Sequence, residues 1–275
     1  MNITQKRKLV QFLIIAAMTL ICVIMIMPYV WMILNSFKHK SEIMKAKTFF
    51  PDNFIIDNYI RVFTKAPIAN WFKNSVFIST TGTLLVLITS TLAGFVFAKY
   101  EFKWKNAAFV YVLATMMVPA QATMIPSFLL INSLKMYDTL WSLIIPGAVG
   151  GFGIFLCRQF IEDIPDSLCE AASIDGAGAG YIYVRIILPL IKPAIGALTI
   201  FTFLGKWNDY TGPLLYISHP NNMTMPLALN YFSGQHVSDN GATMAAAVIV
   251  TLPVLFVFLL LQRQFVEGIA ITGIK

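Results

Sequence analysis

The sequence predicts an all-α, polytopic membrane protein with six transmembrane helices and a short helical element on the cytoplasmic side. Three observations predict it. Hydrophobic residues are 57% and charged residues 12% of the chain, against roughly 45–50% and about 25% in soluble globular proteins. Five long stretches carry no charge, bounded by Lys8 and Lys38, Lys73 and Lys99, Lys105 and Lys135, Asp138 and Arg158, and Asp239 and Arg263. Basic residues and tryptophans gather where these stretches end, as at a membrane interface.

The elements follow in order. A helix needs roughly 20 apolar residues to cross about 30 Å of hydrocarbon, which places spans near 9–34, 74–98, 107–134, 139–157 and 241–262. A further span near 192–215 is interrupted by Lys206 and Asp209. The apolar run after Lys6, Arg7 and Lys8 is longer than a signal-peptide core and reads as a retained first span. Trp31, Trp71, Trp104 and Trp141 lie near span ends. Pro119 and Pro126, and Pro146 with Gly147, Gly150, Gly151 and Gly153, predict bent and closely packed helices, with packing preferred over a pathway.

Orientation comes from Lys and Arg. The side holding the termini carries eleven and the other nine, of which seven sit in the 35–73 loop. Without that loop the count is eleven against two, which puts the termini in the cytoplasm and makes 35–73 an external loop. Pro51, Asp52, Asn53, Asp57, Asn58 and Tyr59 read there as turns against the membrane surface. The net charge of +7 belongs to span flanks rather than to a stripe for nucleic acid. Cys22, Cys157 and Cys169 show no disulfide or metal spacing, and His39, His219 and His236 are isolated.

The most informative stretch is the cytoplasmic segment 158–192. Ser167 and Glu170 have capping-box spacing for a helix start. Ala171 and Ala172 keep that helix slim, and Asp175 with Gly176 signals a turn. A second helix is expected from about Gly180 to Leu188, limited by Pro189.

Glu170, Ala171, Ala172, Asp175, Gly176, Ala177, Tyr183, Ile186, Leu188, Pro189 and Pro193 together resemble the cytoplasmic loop signature of ABC-type importer permeases. The resemblance covers nearly the whole chain as a single permease domain, 1–275. It is nearest to the carbohydrate, maltose-type branch and its smaller permease. It extends through Pro28, Tyr29 and Trp31, through Val118, Pro119 and Gln121, through Trp207, Asn208 and Asp209, and through Arg263, Phe265 and Gly268. Tyr183, Gly178, Gly180 and Lys206 depart from the family pattern.

The resemblance implies that Glu170, Ala171, Ala172, Asp175, Gly176, Ala177 and Pro189 couple the chain to a cytoplasmic ABC ATPase dimer. It also implies a second homologous permease, an extracytoplasmic solute-binding protein and a lipid setting in a bacterial-type cytoplasmic membrane. The chain has no phosphate-binding loop ending in Gly-Lys-Ser or Gly-Lys-Thr, so it is not expected to cradle a nucleotide; no cofactor is expected on this chain, and the resemblance implies that ATP and Mg are bound by the partner ATPase. The tail from Gln264 to Lys275 is implied to approach the ATPase interface, with a plain cytoplasmic anchor as the alternative.

For the solute path the candidates are Lys206, Trp207, Asn208, Asp209 and Tyr210, polar groups at membrane depth beside aromatic rings that suit a sugar. The alternatives are a Lys206–Asp209 pair with Trp207 as an interfacial anchor, or a Lys206 that meets an anionic solute. Competing functions are a secondary transporter, which needs no ATPase, and a polytopic membrane enzyme, which needs a clustered nucleophile, acid pair or histidines.

Overall fold

The computed structural model describes residues 3–45, 48–233 and 239–272. In chain order the helices are α1 (Ile3–Ser36), α2 (Lys40–Lys45), α3 (Asp57–Lys65), α4 (Ile68–Lys99), α5 (Lys105–Met117), α6 (Ala120–Ser133), α7 (Trp141–Ile144), α8 (Gly151–Glu162), α9 (Asp166–Ile174), α10 (Ala179–Ile182), α11 (Leu188–Leu190), α12 (Lys192–Trp207), α13 (Thr211–Tyr216), α14 (Met225–Ser233) and α15 (Asn240–Thr272). A π turn, Tyr183–Ile187, joins α10 to α11, and a 3-10 turn, Pro220–Asn222, precedes α14. Among the described residues there is no strand. His236 and Gly273–Lys275 lie outside them. Internal contacts divide the chain into two compact units, Met1–Ala66 with Leu229–Thr251, and Pro67–Ala228 with Leu252–Lys275.

The first unit turns on Asn58, which is fully buried. Its Nδ2 donates to Ser36 O at 2.7 Å and Lys38 O at 2.8 Å, satisfying carbonyls at the end of α1. Arg61 donates to Asn58 Oδ1, and Gly241 lies so close to that amide that a Cβ would collide with it. Arg61 Nε also meets Asp239 Oδ2 at 3.0 Å, with Lys65 Nζ at 3.7 Å. Asp239 Oδ1 accepts from Ala242 N–H at 3.2 Å, so the same carboxylate caps the start of α15. The expectation of a turn at Asp57, Asn58 and Tyr59 is therefore corrected, while Asp52 and Asn53 do lie in bends. The 35–73 stretch folds into α2, α3 and the first turn of α4, because Asn58 and Val62 have backbone and apolar partners to bury against.

The second unit is built around α4. Ser75, Ser79, Gly82, Thr83, Val86, Ser90 and Gly94 recur every three or four residues and are buried, which makes one narrow face of small side chains. At Gly94 an added Cβ would fall 2.7 Å from Cys157 Cβ and 2.9 Å from Arg158 N, so α4 and α8 touch almost backbone to backbone. Gly153 makes the reciprocal approach to Ser90. Behind this contact Val86, Phe95, Cys157, Ile161, Ile164, Ile182, Ile187, Ile191, Ala194 and Leu198 form the core cluster. At the start of α4, Trp71 Nε1 donates to Pro220 O, Asn74 Nδ2 to Asn221 O and Met223 O, and Ser75 Oγ accepts from Met225 N–H. Asp138, in the left-handed region at φ 59°, ties in a further segment by accepting from Ser218 and His219 N–H.

Three expected spans are single helices, α1, α4 and α15, long and apolar enough to cross a bilayer. The other three are not continuous. The 107–134 range bends by 100° between α5 and α6, where Pro119 is extended at ψ 137°. The 192–215 range breaks after Trp207, and α12 is itself set at 78° to the Ala179–Leu190 stretch. The 139–157 range holds only α7 and the start of α8, with residues 145–150 outside helix. Pro146 and the glycines beside it end the helical ladder there. Thr89 Oγ1 donates to the freed Ala148 carbonyl at 2.8 Å, the kind of internal satisfaction that membrane depth demands.

Gly94→Val is expected to force α4 from α8 and destabilise the fold by about 1–3 kcal/mol. The check is a lowered thermal unfolding midpoint of the detergent-purified protein.

Candidate functional site

The segment singled out in the sequence forms a rigid projection. Helix α9 ends in a Schellman motif: Gly176 N–H bonds Ser173 O at 3.0 Å and Ala177 N–H bonds Ala172 O at 2.9 Å, with Gly176 at φ +85°. The Asp175–Gly176 turn thus has a defined geometry, and open space surrounds the position a Cβ would take at Gly176.

The start of α9 corrects the sequence reading. The helix begins at Asp166 after an extended Pro165, with no side-chain cap. Ser167 then lies inside the first turn, and Ser167 with Glu170 cannot form the expected capping box. Asp166 instead stands in the first turn, where the helix dipole favours its charge. Its Oδ1 lies 2.6 Å from Lys99 Nζ, and the same ammonium donates to Ile164 O. The Lys99 side chain is 7% exposed, so the last residue of α4 is clamped to the first turn of α9.

One side of α9 seats on the core through Cys169 and Ala172, with Ala177 following. Leu168, Glu170, Ala171, Ser173, Ile174 and Asp175 are exposed. Ile174, at 87% exposure, is an apolar side chain turned almost wholly outward. A groove of about 530 Å³ runs alongside, lined by Lys99, Tyr100, Glu170, Ser173, Ile174 and Ile182 among others.

Beyond α9 the expected helix does not stop before Pro189. It passes through the π turn, in which Leu188 N–H bonds Tyr183 O, five residues back. Pro189 has no N–H to return to Arg185, and the wider turn carries the chain past that gap. Tyr183 is fixed by a 2.7 Å hydroxyl contact with Thr91 and by packing on Phe95 at 5.5 Å between ring centroids. The direction changes at Ile191 (φ −95°, ψ 18°), and Pro193 falls at the start of α12, where its missing N–H costs nothing.

At the far end of α12 the candidate path residues separate. Trp207 is fully buried, stacked on Phe203 at 5.8 Å and 13° and edge-on to Phe72. Its ring is taken up by these contacts and is not exposed to a cavity in this structure. A face shared with Tyr210 required helix through residue 210, and α12 ends at Trp207. Asn208 and Tyr210 are exposed. Asp209 Oδ1 accepts from Gly212 N–H at 3.0 Å and so caps α13. The Lys206 stem lies over Gly82, and its Nζ would be 2.9 Å from a Cβ there and 3.1 Å from one at Gly147. No described carboxylate is within ion-pair reach of it. Lys206 and Asp209 therefore make no direct salt bridge, and interact only at longer range.

Gly82 and Thr91 carry no mark in the sequence reading, Gly147 appears there only as a packing glycine, and Lys99 only as the end of a charge-free stretch. The small-residue period along α4 was the available signal for the first; Lys99 and Thr91 meet partners 67 and 92 residues away, which local pattern does not encode.

Helices long and apolar enough to cross a bilayer, two bent helix pairs and a short exposed helix at α9 define a polytopic helical membrane protein. Residues 90–271 match the binding-protein-dependent transport system inner membrane component family. The arabinooligosaccharide transport system permease protein AraQ of Halalkalibacterium halodurans is 31% identical over 277 residues, covering 98% of this chain and 99% of that one. The lactose transport system permease protein LacG of Rhizobium radiobacter is 30% identical, with 98% of each covered. A solved bacterial ABC transporter involved in import of the acidic polysaccharide alginate has the same fold, with a TM-score of 0.84 at 21% identity over 94% of this chain and 98% of that one. The chain belongs to the binding-protein-dependent transport system inner membrane component family, and it is a transport component rather than an enzyme.

The Lys99 ammonium beside Asp166, chiefly through its hydrogen bond, holds that carboxyl below its ordinary 3.8. The clamp thus contributes above pH 3.8 and is lost as pH falls through the lower, folded value. Lys99→Met is expected to bring the Asp166 titration back up toward 3.8, read by isotope-edited infrared spectroscopy of the carboxyl band.

Proposed function

We propose that this chain is one of two homologous permease subunits of an ABC importer that moves a sugar or oligosaccharide into the cytoplasm by alternating access. The observation that carries the coupling role is the exposed, Schellman-capped α9, clamped to α4 by Lys99 and joined through the π turn to α12. A cytoplasmic ATPase dimer grips α9 through the exposed Glu170, Ala171 and Ile174, while Ala172 seats the helix on this chain's core and serves the coupling from that side. Closure of that dimer moves α9 as one body, and Asp175, Gly176 and Ala177 with Pro189 relay the motion. ATP and Mg are held by the ATPase and none by this chain.

Two states alternate, and ligand and nucleotide shift them only as far as each binds one state better. A solute-binding protein delivers the solute on the outside. The termini and α9 lie in the cytoplasm, a reading supported by the excess of Lys and Arg there once the 35–73 loop is set aside. The carbohydrate assignment is supported by full-length similarity to permeases named for arabinooligosaccharides and lactose.

Gly176→Val tests this. A β-branched residue at positive φ costs roughly 1–2 kcal/mol by backbone strain, and the open surroundings leave no other effect. Uptake is expected to be lost, with ATPase activity retained but no longer stimulated by the loaded receptor; unchanged uptake would overturn the coupling role. Affinity purification of the tagged chain is expected to bring down an ABC ATPase and a second permease. A secondary transporter or a membrane enzyme would bring down neither.

A further inference from the structure

The geometry points to Lys206 as a specificity residue that selects carboxylate-bearing oligosaccharides, short chains containing uronate sugars, by giving their anionic group its counter-charge. This rests on the importer reading above and adds to it the chemical class of the solute.

Lys206 is the one charged residue between Pro193 and Trp207, near the far end of a helix about 24 Å long at 1.5 Å per residue. A cation at that depth is retained where it faces a cavity or a counter-ion. Asp209, the nearest acid in sequence, is turned to the Gly212 N–H, and no other described carboxylate is in reach. Asp209 thus acts on it only at longer range, and among the described residues the ammonium has no direct salt-bridge partner, which leaves it open to a counter-charge carried by a solute.

Two interruptions of helix meet at this ammonium. One is the end of α12 at Asn208; the other is the non-helical 145–150 stretch, where Ile145, Pro146 and Gly147 are exposed. Irregular backbone at membrane depth is tolerated where it lines a cavity, and transporters place solutes at such breaks. Gly82 and Gly147 carry no side chain, which leaves a slot for the lysine stem to reach that opening. Asn208, exposed beside it, offers an amide to sugar hydroxyls. A single ammonium with three donors suits one monoanionic carboxylate.

The test uses the complete complex with its receptor in proteoliposomes holding ATP. The probes are radiolabelled trigalacturonate, its neutral methyl ester and arabinotriose. The wild type is expected to import trigalacturonate. Lys206→Met should lower that uptake about tenfold or more and Lys206→Arg by less than about threefold, because removing one member of a buried charge pair strands the other. Gly82→Ala, which displaces the ammonium without removing it, should also lower it, with methyl ester uptake changed less in every variant. If the wild type imports arabinotriose but not trigalacturonate, the uronate inference fails and the importer reading stands. Equal loss of charged and neutral sugars in Lys206→Met would mean that the lysine is matched by an acid of the second permease, and would also overturn the inference. No ATP-dependent uptake of any of the three would overturn the uronate inference, while the importer reading falls only if no ABC ATPase and second permease accompany the chain.

Discussion

The near contact of α4 with α8 and α12 is the constraint on which the second unit depends. In lipid, apolar surface alone gives helices little reason to associate, so attraction comes from close dispersion contact and from hydrogen bonds. Gly94 against Cys157 and Gly153 against Ser90 bring the helices close enough for the first, and Thr89 adds a hydrogen bond from α4 to the Ala148 carbonyl. Once they touch, the cluster from Val86 to Leu198 closes behind them, and the short helices after α8 have a floor to sit on. Lys99 is then presented at the right place to hold Asp166.

The same constraint joins the two ends of the permease. The α4 face that receives α8 also leaves the slot at Gly82 for Lys206, while its last residue clamps α9. In the importer reading, a displacement of α9 and a change at the solute path are thus two ends of one packed body, with no separate relay between them.

Much of this was legible in the sequence, and the limits have physical causes. Charge-free length placed α1, α4 and α15, because membrane spanning is a property of one segment. Asp175–Gly176 and the interruption at Lys206 and Asp209 were likewise local features, and both mark real breaks. Ser167 looks like a cap in isolation, while Lys99 and Pro165 set the start of α9 two residues earlier. Trp207 reads from sequence as either a solute-facing ring or an interfacial anchor because sequence gives a side chain's chemistry and not its neighbours; Phe203 and Phe72 pack against it. The 35–73 loop looked like surface turns because nothing nearby in sequence reveals that Asn58 is buried against Ser36, Lys38 and Gly241.

The π turn at Tyr183–Ile187 has an angular consequence. Ile182 and Ile187 both point into the core, yet at about 100° per residue in an α-helix, five steps would leave them about 140° out of phase. Bonding five residues back brings them into line. The number of residues in this turn, as much as their chemistry, therefore fixes the azimuth at which Ile191 and everything along α12 leave the junction. Losing one residue there would rotate the whole downstream rod, whereas exchanging one for another of similar size would leave its heading unchanged.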